Sequence, residues 1–191
     1  MSLFPFDPDR APPGPRISLV LGGARSGKSA LAERLVAARG PERLYLATAQ
    51  AFDDEMAARI AAHRDRRDAG WETVEAPMNL PAALMGRAMD PARPVLVDCL
   101  TLWLSNLMLA DRPEGPAIAA LEAALTNSRA PVVLVSNEVG LSIVPDTPLG
   151  RRFRDAQGLL NQRVAALAGR VILCVAGLPT LLKDLPEEDP S

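Results

Sequence analysis

The chain has 191 residues, a formal net charge of −2 at pH 7 and a hydrophobic fraction of 48%. This length suits one α/β domain with its own core, and the small charge gives no global electrostatic reason to expect nucleic acid or an anionic membrane as a partner. Cys99 and Cys174 lie far apart in apolar runs, which argues against a disulfide framework or a zinc site and indicates a reducing, cytoplasmic setting. No apolar run reaches the roughly 18 residues of a membrane span, so we expect no stable membrane insertion.

The amino-terminal segment over residues 1–16 contains five prolines. It lacks the apolar core of a signal peptide, and we therefore interpret it as a flexible extension. The periodic part of the sequence begins directly after it. We predict a single domain over 17–180 and a carboxyl-terminal tail over 181–191.

The first motif is a glycine-rich loop between an apolar strand predicted over 17–21 and a helix predicted over 30–38. It fits G-x-x-x-x-G-K-[ST] at every fixed position through Gly22, Gly23, Ala24, Arg25, Ser26, Gly27, Lys28 and Ser29. The glycines allow backbone N–H groups to turn toward an anion, and Lys28 would reach the β- and γ-phosphates of a nucleotide. Ser29 would bind Mg²⁺. This loop predicts a nucleoside triphosphate site without indicating the reaction.

A second strand is predicted over 44–48, and a helix over 53–67 carries His63, the only histidine of the chain. Acidic residues begin this helix and arginines end it, as the helix dipole favours. His63 lies on one stripe with apolar residues, which is typical of a partly buried histidine. A neutral imidazole among arginines is also suited to attack a phosphate, and the spacing alone leaves both interpretations open.

The rest of the chain alternates apolar strands with helices. We predict strands over 70–77, 94–98, 131–136 and 171–176, the last strand of the chain, and helices over 80–89, 100–110, 117–127 and 153–168. This order favours a P-loop NTPase-like (RecA-like) α/β fold, with a mostly parallel sheet, helices on both faces, and ligands at the carboxyl ends of the strands.

Polar residues follow two of these strands at the predicted ligand-binding edge. Asp98 ends an apolar strand, as does a carboxylate that holds Mg²⁺ directly or through water, although an acid that caps a helix looks the same. Asn137 and Glu138 end another strand and are candidates to position a substrate or the metal. The alternative interpretation is that Asn137 and Glu138 form a helix cap or a loop turn.

Several segments together resemble the bifunctional adenosylcobinamide kinase / adenosylcobinamide-phosphate guanylyltransferase family of cobalamin biosynthesis. The resemblance extends from about Ile17 to Ala176, and its most specific part is D-D-E-M-x-x-R-I-x-x-H-R over residues 53–64. The other segments are the glycine-rich loop, 45–49, 71–73, 136–140 with 143–145, and 153–155 with Asn161 and Gln162.

The resemblance implies two reactions. The aminopropanol hydroxyl of adenosylcobinamide is phosphorylated from ATP or GTP, and GMP is then transferred from GTP to adenosylcobinamide phosphate. The resemblance also implies that His63 is the guanylylated nucleophile, that Mg²⁺ assists, and that the enzyme is a trimer. Beyond the glycine-rich loop, the implied nucleotide contacts are Ala47, Thr48, Ala49, Arg64, Asp65, Arg66, Arg67, Glu75 and Asp98.

Two other functions use the same glycine-rich loop. One is a small-molecule kinase without guanylyl transfer, and the other is a nucleotide-dependent regulatory binding module. The regulatory module would use the loop and Asp98 but leave His63 without a role. The fate of the α-phosphate of GTP therefore distinguishes them from the bifunctional enzyme.

Overall fold

The computed structural model describes residue 6 and residues 14–50 and 67–185. Within these ranges the strands are β1 (Ile17–Gly22), β2 (Arg43–Ala47), β3 (Trp71–Glu75), β4 (Val95–Asp98), β5 (Val132–Asn137), β6 (Arg170–Val175) and β7 (Leu178–Asp184). The helices are α1 (Lys28–Ala37), α2 (Leu80–Arg87), α3 (Leu100–Leu109), α4 (Glu114–Asn127) and α5 (Pro148–Leu167). The helix predicted over 53–67 lies outside the described residues except for Arg67.

The described strands form one seven-stranded sheet in the order β3-β2-β4-β5-β1-β6-β7. Every neighbouring pair is parallel except β6 and β7, which are antiparallel. Strand β1 lies between β5 and β6, so the glycine-rich loop leaves the sheet beside the ends of both strands. The predicted mostly parallel α/β sheet is confirmed.

Helices cover both faces of the sheet. Leu19 packs in a cluster with residues of α2 to α5, including Leu100, whereas Val20 packs in a second cluster with Leu31 and Leu35 of α1. Successive strand residues point to opposite faces, and both faces of β1 are therefore buried. This two-sided burial explains why the strand is a continuous apolar run in the sequence.

The apolar helix α3 belongs to the core. Trp103 is fully buried, and its indole nitrogen donates to the carbonyl of Met78 at 3.2 Å. This hydrogen bond satisfies the only polar atom of the buried ring. Within the described ranges, the helices all fall short of the length and apolar character needed to cross a membrane.

Two helices begin three or more residues before their predicted starts. Helix α5 begins at Pro148, five residues before the predicted start, because Thr147 is its N-cap and accepts a hydrogen bond from Gly150 N at 3.1 Å. Pro148 follows in the first turn, where a missing N–H costs nothing. Helix α4 likewise begins at Glu114, three residues before its predicted start.

The prediction that 171–176 is the last strand is wrong, because β7 follows β6 after a two-residue turn. Ala176 and Gly177 both have positive φ, at 50° and 81°, as tight hairpin turns of this kind require. Alanine at the first of these positions gives no turn signal in the sequence. Strand β7 is also largely exposed and contains Pro179, so it lacks the apolar alternation of a buried strand.

Candidate active site

The glycine-rich loop connects β1 to α1, as its pattern predicts. Gly22 is the last residue of β1, and α1 begins at Lys28. Any side chain at Gly22 is sterically excluded, because a Cβ there would lie 2.4 Å from Ser26 Oγ and 2.7 Å from the carbonyl oxygen of Cys174. Gly27 has a φ of 91°, which residues with side chains rarely adopt. Two of the pattern's glycines are therefore required by the shape of the loop.

Helix α1 presents its amino terminus to this loop. It has no side-chain cap and no acidic residue in its first turn, so nothing from its own sequence neutralises the positive end of its dipole. The Lys28 ammonium donates to the carbonyl of Gly23 at 3.1 Å and so folds back over the loop. A helix amino terminus together with an ammonium group favours a bound phosphate.

The turn between β6 and β7 contacts the loop from outside. The N–H of Gly177 donates to the carbonyl of Ser26 at 3.0 Å, and a Cβ on Gly27 would lie 3.3 Å from the Gly177 Cα. Ser26 is buried, and its hydroxyl has no hydrogen-bond partner among the described residues. A buried hydroxyl without a partner in a phosphate loop is suited to a ligand oxygen.

Four further candidate residues end strands of the sheet. In the sheet register Ala47 of β2 is paired on one side with Glu75 of β3 and on the other with Asp98 of β4. On β5 and β1, Asn137 is paired with Gly22. The structure thus brings the predicted residues of these five strands to the same carboxyl edge of the sheet as the phosphate loop.

The side chain of Thr48 links β2 to the segment after β4. Its hydroxyl accepts from Cys99 N and donates to Cys99 O, each at 2.7 Å, and its backbone N–H donates to Asp98 O at 3.2 Å. The amide nitrogen of Asn106 on α3 donates to Thr48 O at 2.8 Å. Thr48 is fully buried, so these bonds fix the backbone from Asp98 to Cys99.

Asp98 accepts a hydrogen bond from the Tyr45 hydroxyl, with 3.0 Å between Tyr45 Oη and Asp98 Oδ2. The guanidinium carbon of Arg67 lies 3.7 Å from the centroid of the Tyr45 ring. Nε and Nη1 of Arg67 are buried without a hydrogen-bond partner within residues 14–50 and 67–185. The Tyr45 side chain therefore connects Arg67, a predicted nucleotide contact, to Asp98.

A polar network beneath the sheet edge positions Asn137. The Ser136 hydroxyl donates to Asn161 Oδ1 at 2.7 Å, and Gln157 Nε2 donates to that hydroxyl at 2.9 Å. Asn161 Nδ2 in turn donates to the carbonyl of Asn137 at 3.1 Å, while Asn137 N donates to Thr101 Oγ1 at 2.8 Å. Helices α3 and α5 thus hold the end of β5 beside the phosphate loop.

Two opposite charges of the candidate site act on one buried thiol. Burial, and then the negative charge of Asp98, raise the pKa of Cys99 to about 12, while the positive charge of Lys28 acts in the opposite direction. Both charges are therefore near enough to Cys99 to influence it. Cys99 directly follows Asp98 in the chain, so the thiol belongs to the segment that carries the predicted metal-binding carboxylate.

The site residues predicted over 51–66, which are His63, Arg64, Asp65 and Arg66, lie outside the described residues. Sequence reasoning singles out neither the pairing of Tyr45 with Asp98 nor the support of the neighbouring backbone by Asn106. The contacts of these two side chains join positions 53 and 58 residues apart in the chain. Tyr45 is the only tyrosine in the sequence, but its partner is evident only from the strand register.

Comparison with known proteins identifies the family of the chain. The family model described as cobinamide kinase / cobinamide phosphate guanyltransferase matches residues 18–182. The bifunctional adenosylcobalamin biosynthesis protein CobP of Pseudomonas aeruginosa is 52% identical over 171 residues, which covers 88% of this chain and 98% of that protein. The bifunctional adenosylcobalamin biosynthesis protein CobU of Salmonella typhimurium is 44% identical, over 86% of this chain and 98% of that protein.

A likeness among solved structures concerns the fold alone. The crystal structure of the RadB recombinase has a TM-score of 0.50 with this chain at 16% identity, and the match covers 84% of this chain and 74% of that one. The predicted P-loop NTPase-like (RecA-like) fold is confirmed by this neighbour together with the sheet topology. The family model matches residues 18–182, which include the glycine-rich loop, and the relatives match over most of the chain. The chain therefore belongs to the cobinamide kinase / cobinamide phosphate guanyltransferase family.

Proposed function

We propose that this protein carries out two successive transfers on one corrinoid substrate. In the first, the aminopropanol hydroxyl of adenosylcobinamide attacks the γ-phosphorus of ATP or GTP, and the nucleoside diphosphate leaves. In the second, GMP passes from GTP to adenosylcobinamide phosphate, and pyrophosphate leaves. The observation that carries the proposal is the family match over residues 18–182, which includes the complete phosphate loop.

The guanylyl transfer uses His63 as the nucleophile. Its neutral imidazole nitrogen attacks the α-phosphorus of GTP, the bond to the β-phosphate oxygen breaks, and a phosphoramidate carries GMP. A phosphate oxygen of adenosylcobinamide phosphate then attacks the same phosphorus, which releases His63 and gives adenosyl-GDP-cobinamide. This role rests on the motif around His63.

The phosphate loop holds the triphosphate in this proposal. Backbone N–H groups at the start of α1 and the Lys28 ammonium stabilise the charge of the β- and γ-phosphates. The buried donors of Arg67 that lack partners among the described residues are suited to a nucleotide oxygen. Glu75 would accept from the N1–H and the 2-amino group of guanine, while Ala47, Thr48 and Ala49 would contact the nucleotide between Glu75 and Asp98.

The residues at the edge fit Mg²⁺. Among the described residues no group of three histidine, cysteine or acidic side chains could hold a metal. Mg²⁺ suits such an edge, since it is usually bound by one or two protein oxygens plus substrate phosphates. Ser29 and Asp98 would hold it, and when bound it would neutralise charge that develops on the phosphate oxygens.

The proposed function also includes an oligomeric state, a location and a set of partners. We propose a homotrimer on the resemblance to the family, and a cytoplasmic location. Cys99 and Cys174 are both free and buried, which fits a reducing compartment. Adenosylcobinamide, its phosphate and the nucleotides are the partners in this proposal, and nucleic acid is not.

Labelled GTP provides the decisive experiment. Incubation with α-labelled GTP and Mg²⁺ should leave acid-labile, alkali-stable label on the protein, and His63→Ala should abolish it. His63→Ala should also abolish guanylyl transfer while phosphorylation of adenosylcobinamide from ATP continues. Lys28→Ala should impair both transfers, because both require the triphosphate tail.

Each alternative has its own outcome in this experiment. Phosphorylation by the wild-type protein without any label from GTP would indicate a kinase alone. Nucleotide binding without either transfer would indicate a regulatory module. Loss of both activities in a folded His63→Ala variant would contradict the separate role of His63.

A further inference from the structure

The hydroxyl of Tyr45 lies against the carboxylate that the proposed function assigns to the metal. Tyr45 is in β2, only 5% exposed, and its hydroxyl donates to Asp98 Oδ2 across 3.0 Å. Within residues 14–50 and 67–185 this is the one hydrogen bond that the Asp98 carboxylate accepts, so Oδ1 receives none there. The Tyr45 hydroxyl therefore fixes Oδ2 and leaves Oδ1 without a hydrogen bond from these residues.

The phenol ring is fixed independently of Asp98. The guanidinium of Arg67 lies over the ring face at 3.7 Å from the centroid. The ring of Trp71 meets it edge-to-face, with 6.0 Å between centroids and an angle of 77°. A cation on one side and an aromatic edge on another hold the ring plane, so the hydroxyl has a defined direction.

Tyr45 acts as a donor across the physiological pH range. The ordinary pKa of a tyrosine hydroxyl is about 10, so the group carries its proton at neutral pH whatever its surroundings add. The phenol therefore stays protonated. A protonated hydroxyl beside a carboxylate forms a charge-assisted hydrogen bond, which is stronger than a neutral one.

We propose that Tyr45 is a positioning residue that orients Asp98 for Mg²⁺, by holding Oδ2 so that Oδ1 is presented to the ion. The inference rests on the proposed function, which makes Asp98 a Mg²⁺ ligand. Groups that hydrogen-bond a metal-ligating carboxylate fix its orientation, and their loss typically weakens metal affinity by roughly 10- to 100-fold. Tyr45 itself contacts neither the nucleotide nor the ion in this proposal.

The test measures Mg²⁺ dependence without turnover. A GTP analogue with an α,β-methylene bridge cannot transfer GMP, and its affinity is measured by calorimetry over a series of Mg²⁺ concentrations. Tyr45→Phe keeps the ring between Arg67 and Trp71 and removes only the hydroxyl. We expect the Mg²⁺ concentration at half-maximal enhancement to rise about tenfold, with affinity in the absence of Mg²⁺ unchanged.

Trp71→Phe is the matched control. It alters the same aromatic cluster, and the ring of Trp71 contacts the Tyr45 ring and the Arg43 guanidinium. We expect its Mg²⁺ midpoint to equal that of the wild type, because phenylalanine keeps an aromatic edge against the Tyr45 ring and the Tyr45 hydroxyl is retained. An equal shift in Trp71→Phe and Tyr45→Phe would show a general packing effect and would overturn the proposal.

The variant Asp98→Asn separates this inference from the proposed function. If Asp98→Asn leaves the Mg²⁺ midpoint unchanged, Asp98 is not a metal ligand and the proposed function loses its metal assignment. If Asp98→Asn shifts the midpoint but Tyr45→Phe does not, the positioning role alone is wrong. In the double variant, Tyr45→Phe should add nothing to Asp98→Asn, and full additivity would contradict action through Asp98.

Discussion

The hydroxyl of Thr48 and the backbone of Cys99 form a reciprocal pair, in which the hydroxyl accepts from the N–H and donates to the carbonyl, each at 2.7 Å. The pair is buried, so water cannot replace either bond. The link joins the end of β2 to the residue that follows Asp98. The position of the Asp98 backbone therefore depends on the side chain that follows another strand, β2.

Thr48→Val should lower the free energy of unfolding by about 2 kcal/mol, because it leaves the N–H of Cys99 buried and unpaired. It also removes one of the two hydrogen bonds to the Cys99 carbonyl, which keeps only the bond from Trp103 N at 3.2 Å. Urea unfolding measures the change, and Thr48→Ser should retain most of the stability. Thr126→Val is the control, since the Thr126 hydroxyl makes an exposed bond to the carbonyl of Glu122. Equal losses in Thr48→Val and Thr126→Val would contradict the importance of the buried pair.

Gly22→Ala should distort the phosphate loop and weaken GTP binding. A Cβ at Gly22 would overlap Ser26 Oγ and the Cys174 carbonyl, and the carbonyl belongs to a strand that cannot move alone. We expect at least a tenfold loss of affinity by calorimetry, equivalent to about 1.4 kcal/mol.

Gly158→Ala in α5 is the control for this substitution, because no atom lies within 4 Å of its added Cβ. Helix propensity should make this variant as stable as the wild type or more stable by up to about 1 kcal/mol. GTP affinity that is unchanged in Gly22→Ala would show that the loop tolerates a side chain there.

The ion pair between β6 and β7 should respond unequally to loss of each partner. Arg170 Nε donates to Asp184 Oδ1 at 2.8 Å, and the side chains of Arg170 and Asp184 are 4% and 38% exposed. Asp184→Ala leaves a buried guanidinium unpaired, and we expect a loss of about 3 kcal/mol in urea unfolding. Arg170→Met should cost less, because water can solvate the remaining carboxylate.

The exposed pair of Arg163 and Glu122 provides a comparison on the same molecule. These side chains are 42% and 26% exposed, so Glu122→Ala should cost less than about 1 kcal/mol. A larger loss in Arg170→Met than in Asp184→Ala would contradict the importance of the buried charge.

Cys99 should be unreactive in the native state. Burial raises its pKa from 9.0 to about 12, and the thiolate that reacts with iodoacetamide is therefore nearly absent at pH 8. Mass spectrometry should find Cys99 alkylated only after unfolding. Rapid labelling of the folded protein would contradict this expectation.

The same shift makes stability depend on pH. The native state keeps the Cys99 proton to a higher pH than the unfolded chain does, so this contribution is fully present below pH 9.0 and is lost as the pH rises toward about 12. Cys99→Ala should reduce the dependence in this range. The comparison requires unfolding free energies measured at several alkaline pH values.

The sequence predicts the phosphate loop completely, because its glycines and Lys28 must be adjacent in the chain to form one cradle. It also predicts Asp98 at the end of a buried strand, since that strand is a continuous apolar run. The partner of Asp98 is not predictable in the same way. Tyr45 is 53 residues away, and their contact depends on the parallel pairing of β2 with β4.

Strand β7 is not predictable for a different physical reason. An exposed edge strand can contain proline and apolar residues on its solvent side, so its sequence lacks the alternation of a half-buried strand. The sequence does not indicate the start of α5, because a proline such as Pro148 is as typical of a loop as of the first turn of a helix. Thr147 followed by Pro148 is in fact a favourable beginning for a helix.

The hydrogen bond from Gly177 N to Ser26 O joins the hairpin of β6 and β7 to the glycine-rich loop. If detachment of this hairpin distorts the loop, it lowers the affinity for a ligand that binds only the intact loop. By linkage, the bound ligand then lowers the population of the detached state by the same factor. Amide hydrogens of β6 and β7 should therefore exchange more slowly when GTP is bound, although the hairpin need not touch the nucleotide. Slower exchange would make β7 part of the energetics of nucleotide binding, although the sequence motif of the loop ends at residue 29.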